Sequence, residues 1–152
     1  MSIRVLHIAL TPLAGSPLRI VNALNHHTDV RARLLVLNPA AYGSRTFASD
    51  LIWKRDRDES LALLTNVDIV HLHHFFDLEN SPLEINLRTF CGSRTRFIRQ
   101  FHSTPLTIAR GDTLKAEKIV RSEIPQLVIS QYPERFFPKA RLVPNIVPLE
   151  DS

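Results

Sequence analysis

The sequence predicts an α/β domain: a single doubly wound, mainly parallel sheet flanked by helices. Two observations lead there. Short, nearly unbroken apolar runs recur along the chain, the pattern of strands covered on both faces. Between them lie stretches with helix caps and helical apolar spacing, the alternation a parallel sheet requires. With 152 residues, 44% hydrophobic and 22% charged, the chain has enough apolar material for one globular domain.

The first element is set by RVLHIALTPLAGSPLRIVNAL, residues 4–24. Val5, Leu6, Ile8, Ala9 and Leu10 form a strand, and Thr11, Pro12, Gly15, Ser16 and Pro17 interrupt it with turn chemistry. Ser16 followed by Pro17 predicts an N-cap and first helical residue, with Ile20, Val21 and Leu24 on one helix face. Such a loop, between a strand's C-terminal end and a helix N-terminus, is where α/β folds place anionic ligands. Arg33 to Leu37 predicts the second strand, closed by Asn38 and Pro39. Residues 40–55, with Tyr42, Phe47, Leu51, Ile52 and Trp53 in no clean period, read as a loop with a short helix. Asp56, Asp58 and Glu59 then open a helix that carries Leu61, Leu63 and Leu64.

Val67 to Phe76, VDIVHLHHFF, predicts a central strand. The next helix carries the fullest set of signals. Ser81, Pro82 and Glu84 make an N-cap, a first-turn proline and a capping-box glutamate, Leu83, Leu87 and Phe90 share a face, and Gly92 ends it. Arg96 to Phe101 is a strand, and His102 to Pro105 is the turn beyond it. Asp112 caps a helix running through Leu114, Ala116, Ile119, Val120 and Ile124 until Pro125 stops it. Leu127 to Ser130 is a strand, Tyr132 to Phe137 a short turn or helix, and Ala140 to Val143 a last strand.

Composition narrows the function classes. No apolar run approaches the roughly 20 residues that span a bilayer, and the first strand is too short for a signal peptide, so a cytoplasmic protein is expected. The single Cys91 allows no internal disulfide and reads as a packed thiol. Of the 19 basic residues 15 are arginine, giving a net charge of +4 and favouring an anionic partner. The arginines are dispersed, only Arg94, Arg96 and Arg99 being dense, and the aromatic interleaving of RNA-binding surfaces is absent. Nucleic acid is therefore not expected as a partner. The basic surface still permits peripheral contact with the inner face of an anionic membrane.

The strongly specific motifs are missing: there is no Walker lysine loop, GxGxxG, CxxC pair or HExxH. What remains are polar residues at strand C-terminal ends: Gly15 and Ser16, then His73, His74 and Asp77, then His102 and Ser103. His71 and His73 share a strand face while His74 points away, so a metal site there would need outside ligands, and no metal is expected. His71, mid-strand, reads as a hydrogen-bonded core residue, and His26 and His27 as the end of a helix. His102 faces the expected cleft and offers a hydrogen bond at neutral pH. A nucleophilic pair with Ser103 is not expected, since neighbours on an extended chain diverge and no orienting acid is evident.

The order of PLAGSP, DIVHLHHF, FHSTP and VISQYPERFFPKARLVPNIVP resembles the N-terminal domain of GT-B glycosyltransferases, in the large family 4-like group of retaining enzymes that use nucleotide sugars. This resemblance covers essentially the whole chain. It implies a Rossmann-like acceptor-side domain over residues 1–148, one half of a GT-B fold, with 149–152 starting an interdomain linker or tail. It further implies a nucleotide-sugar co-substrate, an unknown acceptor, metal-independent chemistry and no other cofactor. Position by position, Gly15 with Ser16 matches the loop near the donor phosphates and sugar. His102, with Ser103 beside it, matches the cleft histidine that contacts the transferred sugar, and His73 and His74 match the acceptor wall. The family's paired glutamates, eight positions apart in a second domain, have no counterpart among the glutamates here. The chain is thus expected to be inactive alone and to need a donor-binding domain or subunit. Two alternatives stand beside this reading: a stand-alone module binding a nucleotide or phosphorylated ligand, and a different doubly wound enzyme of flavodoxin-like or epimerase-like kind.

Overall fold

The computed structural model describes residues 2–40, 49–129 and 133–144. Its strands are β1 (Arg4–Ala9), β2 (Arg31–Val36), β3 (Leu51–Ile52), β4 (Ile69–Leu72), β5 (Arg96–Phe101), β6 (Gln126–Ile129) and β7 (Arg141–Val143). Between them lie α1 (Ser16–His27), α2 (Arg57–Leu64), α3 (Leu87–Phe90), α4 (Pro105–Ile108) and α5 (Thr113–Val120), with 3-10 turns at Leu13–Gly15 and Pro133–Phe136. The seven strands form one sheet in the order β3-β2-β1-β4-β5-β6-β7, and every pair is parallel. The chain winds outward from β1 to β3, returns to β4, and winds outward the other way. The protein is therefore a Rossmann-like α/β domain, and its winding reverses between β1 and β4, where such sheets open a crevice for ligands.

The strand alternation explains the two layers. Leu6 and Ile8 of β1, Leu35 of β2 and Val70 and Leu72 of β4 point to one face, against Leu64 of α2 and the buried Leu78, Leu83, Leu87 and Cys91. Ala9, Ala32, Leu34 and Val36 point to the other, against Val21, Leu18 and Leu24 of α1. A third cluster joins Phe101 and Val128 to Ala109, Ile119 and Phe137, with the two phenylalanine rings stacked at 4.3 Å. Each fully buried leucine of these clusters contributes about 2 kcal/mol of transfer free energy. Asn25, near the end of α1, pins β2 by donating to the Ala32 carbonyl at 2.8 Å and accepting from its N–H at 2.7 Å.

Several local expectations are corrected. Ser16 does not cap α1: Gly15 holds that position in the left-handed region at φ 84°, and Ser16 is the first helical residue. The capping box at Ser81 and Glu84 forms no helix either. Glu84 sits at φ 61°, outside any right-handed helix, and α3 begins only at Leu87, with Asn86 accepting from the Thr89 N–H. Ser81 instead donates to the Ile85 carbonyl at 2.8 Å, closing a loop that drives Leu78 and Leu83 into the core. Burial of those two leucines outweighs the local helix signal. Where a short helix was expected before α2, Leu51–Ile52 add strand β3 to the sheet edge; Tyr42 and Phe47 lie outside the described residues, as do Ser130, Tyr132 and the segment after Pro144. Asp112 does cap α5, accepting from the Lys115 N–H at 3.1 Å.

Candidate functional site

The central strands carry an unusual cargo for a sheet interior. His7 of β1 pairs in register with His71 of β4, and both are buried. His73, just past β4, continues the ladder through its N–H to the Ile8 carbonyl and is also buried. The three rings stack, with His7 to His71 at 4.2 Å and His71 to His73 at 4.5 Å between centroids. His7 Nδ1 lies 2.8 Å from His73 Nε2, and His73 Nδ1 lies 2.9 Å from His102 Nε2 at the end of β5. A hydrogen-bonded line of imidazoles thus runs from the middle of the sheet to its C-terminal edge. His71 stands beside this line and bonds Gln100 Oε1 through Nε2 at 2.9 Å.

Burial keeps these imidazoles neutral. It holds His7 and His73 well below the usual histidine range, with repulsion from neighbouring imidazoles acting the same way. Burial likewise brings His71, His74 and His102 to about 4. A neutral imidazole has one N–H, so the protons along His7, His73 and His102 must all point one way. His7 Nε2 is buried without a partner. An orphaned buried N–H is rarer than an orphaned acceptor, which assigns the proton of His7 to Nδ1 and directs the chain outward. His73 then donates from Nδ1, and His102 accepts at Nε2 and keeps its own proton on Nδ1. His102 so becomes a fixed, uncharged hydrogen-bond donor at the strand edge. His74, pointing the other way, accepts the Leu10 N–H at Nδ1 over 3.0 Å and ties the β1 loop to β4.

That loop is strained. Leu13, Ala14 and Gly15 take φ of 47°, 54° and 84°, a left-handed run in which only the glycine is at ease. It closes on itself through Gly15 N–H to the Pro12 carbonyl, and Arg19 donates to the Ala14 carbonyl. Pro17 removes one N–H from the first turn of α1, so this helix start offers fewer free donors than an anion site of the glycine-rich kind. Thr11, at its base, has a buried hydroxyl without a partner.

His102 and Ser103 line a cavity of about 1000 Å³ with Leu106, Val120, Arg121 and Phe136. The expected site residues are therefore linked in part: His73 supports His102, His74 holds the β1 loop, and Ser103 shares the cavity wall with His102. Gly15 and Ser16 do not line that cavity. Sequence reasoning missed His7, Gln100 and Thr11. The signal for His7 was available, since a histidine inside an otherwise apolar central strand needs a polar partner. Metal binding is chemically open to the trio of His7, His71 and His73, from each of which one ring nitrogen lies within 4.8 Å of the others. The nitrogens linking His7 to His73 are already committed to each other. Cys91 is buried, and burial pushes its thiol up to about 11, so it is a packing residue.

No family model matches the sequence, and no curated protein matches it. Solved structures do match the fold. An alpha-glucosyltransferase in complex with UDP and a 13-mer DNA containing a central A:G mismatch superposes with a TM-score of 0.55 at 15% identity, over 93% of this chain and 40% of that one. The same activity in complex with UDP and a 13-mer DNA containing an HMU base gives 0.53 at 14% identity, over 84% and 38%. With UDP-glucose and DNA containing an abasic site it gives 0.52 at 14% identity, over 86% and 36%. At such identities the likeness shows the fold alone: a Rossmann-like domain of the kind these glucosyltransferases contain. The chain spans well under half of their length. The expectation that excludes nucleic acid does not stand, because the glycosyltransferases sharing this fold are complexed with DNA. It rested on the dispersion of the arginines and on the absence of RNA-type aromatic interleaving, whereas duplex binding draws largely on arginine and lysine contacts to phosphate and needs no aromatic stacking.

Proposed function

We propose that this chain is the acceptor-side Rossmann-like domain of a retaining, metal-independent glycosyltransferase that uses a nucleotide-sugar donor and modifies a nucleic-acid acceptor. His102 carries the reading. It sits at the C-terminal end of β5 on a large cavity, and its Nε2 is committed to His73, leaving the Nδ1–H for a sugar oxygen. An imidazole held near pKa 4 brings no positive charge at neutral pH, so its part is to orient the sugar. Charge developing on the departing nucleoside diphosphate must be met by cations elsewhere. The strained loop at Gly15 and Ser16 follows β1, one strand beyond β4, and would meet the donor there; His74 ties β4 to that loop at Leu10 and His73 ties it to His102. A basic chain with 15 arginines suits a polyphosphate acceptor, and the fold-sharing glucosyltransferases in complex with DNA favour that acceptor class.

Calorimetry tests the reading through its sugar contact. UDP-glucose is expected to bind wild type more tightly than UDP does, and the difference to vanish in His102→Ala. Equal affinity for the two ligands in wild type, or an unchanged difference in the variant, would overturn it.

A further inference from the structure

Arg99 is the one buried arginine or lysine among the described residues, only 3% exposed. It stands on β5 beside Gln100, so its side chain leaves the sheet on the face opposite the imidazoles. The Nη1 donates to Ser122 Oγ and the Nη2 to the Phe76 carbonyl, both at 2.8 Å, and the guanidinium lies 4.7 Å over the Phe75 ring. Its Nε has no partner. No described carboxylate pairs with it. Asp77 is taken by Lys118 at 3.4 Å and Glu79 by Arg88 at 2.7 Å. Asp77 attracts the guanidinium from beyond ion-pair distance but is itself paired to Lys118. A buried cation without a contacting counter-ion is costly, and an anionic ligand would offset that cost.

The guanidinium lines a cavity of about 550 Å³ whose apolar wall is formed by Phe75, Phe76, Leu78, Leu114 and Ile124, the remainder of the wall being charged or polar. Leu114 is 78% exposed, an apolar side chain held in water at the cavity wall. We propose that this cavity binds a small organic monocarboxylate, with its carboxylate on Arg99 and the Ser122 hydroxyl and its apolar body against Phe75, Phe76 and Leu114. Ser122 Oγ accepts from Arg99 and so keeps its own proton for a ligand oxygen. Charge decides for a carboxylate over a phosphate. Around Arg99 the wall carries Arg88, Lys118 and Arg121 against Asp77, Glu79, Glu117 and Glu123, so the surroundings offer a second negative charge no net attraction. One desolvated guanidinium matches one negative charge. Burial also lowers the Arg99 pKa to about 10, the strain that an anion would relieve.

Titration of the protein with sodium benzoate, phenyl phosphate and benzamide at neutral pH, followed by NMR, tests the site without any nucleotide present. Benzoate is expected to saturate at millimolar concentration and to shift the Arg99 and Ser122 signals, with benzamide at least about tenfold weaker. Phenyl phosphate should bind more weakly than benzoate. Arg99→Met, which keeps the apolar stem, should lose benzoate binding by about tenfold or more while circular dichroism stays native. If that variant fails to fold, the wild-type shifts and the benzamide comparison decide alone. Absence of saturation, shifts clustered away from Arg99, equal binding of benzamide, or tighter binding of phenyl phosphate would each overturn the proposal. The nucleotide-sugar reading is tested separately, at His102, which lines the neighbouring cavity and not this one, although the two share Glu117 and Arg121 of their walls.

Discussion

Lowering the pH from 7 to 5 should unfold this protein, because its fold stores neutral imidazoles that the unfolded chain readily charges. Unfolded histidines take up protons below their ordinary pKa of 6.5, while His71, His74 and His102 stay neutral in the fold down to about 4. Within that window the unfolded state binds more protons, so stability falls as pH falls, and it is fully present only above the unfolded pKa. At pH 5 each such group favours the unfolded state by about 2 kcal/mol. The three together give about 6 kcal/mol, and His7 and His73, held lower still, add in the same direction. Against a total stability of about 5–15 kcal/mol, this is enough to bring the chain to its unfolding midpoint between about pH 6 and 5. Urea unfolding followed by circular dichroism at pH 7.5, 6 and 5 would show it. His7→Gln keeps a donor for His73 but cannot titrate, and should reduce the pH slope by about 1.4 kcal/mol per pH unit. A stability flat between pH 7 and 5 would refute the buried neutral cluster.

Other expectations follow from single residues. Leu83→Ala, in a loop whose leucine is fully buried, should destabilise the fold by about 2–5 kcal/mol, as read from denaturant midpoints. Glu84→Gly should do the reverse by about 1 kcal/mol, since the residue sits at φ 61°; a loss of stability would show that the side chain does something the backbone does not reveal. Thr11→Val removes a buried hydroxyl that has no partner, so the free protein should be at least as stable in thermal melts. Fluorescence anisotropy with a labelled 13-mer duplex should detect binding at low salt that weakens steeply as salt rises, and no binding at about 50 mM salt would remove DNA as the acceptor.

Much of the architecture was legible in the sequence because parallel strands buried on both faces leave short apolar runs, as Val5–Leu10, broken only by His7, and Leu34–Leu37 do. The edge strand Leu51–Ile52 was not legible, since two residues carry no period. The segment at Ser81 misled for a sharper reason. Its capping signals are local, and they lost to Leu78 and Leu83, whose burial is set by the sheet beneath them. At the site, His73, His74 and His102 stood out by their position at strand ends. Their linkage did not, because it depends on register: His7 opposite His71, and His73 within reach of His102, are facts of three strands, the His7–His73 bond joining residues 66 apart along the chain and the His73–His102 bond residues 29 apart. The burial of Arg99 was hidden for the same reason, since it depends on which side chains the fold packs around β5.

The central claim is that His102 presents an uncharged Nδ1–H to a sugar bound at the strand edge. Imidazole nitrogen NMR on histidine-labelled protein observes that proton and its tautomer directly. The account predicts a proton on Nδ1 of His102 in the free protein at neutral pH, and a saturable shift of that signal on adding UDP-glucose. A proton on Nε2, or a His102 signal unmoved by millimolar UDP-glucose, would contradict it.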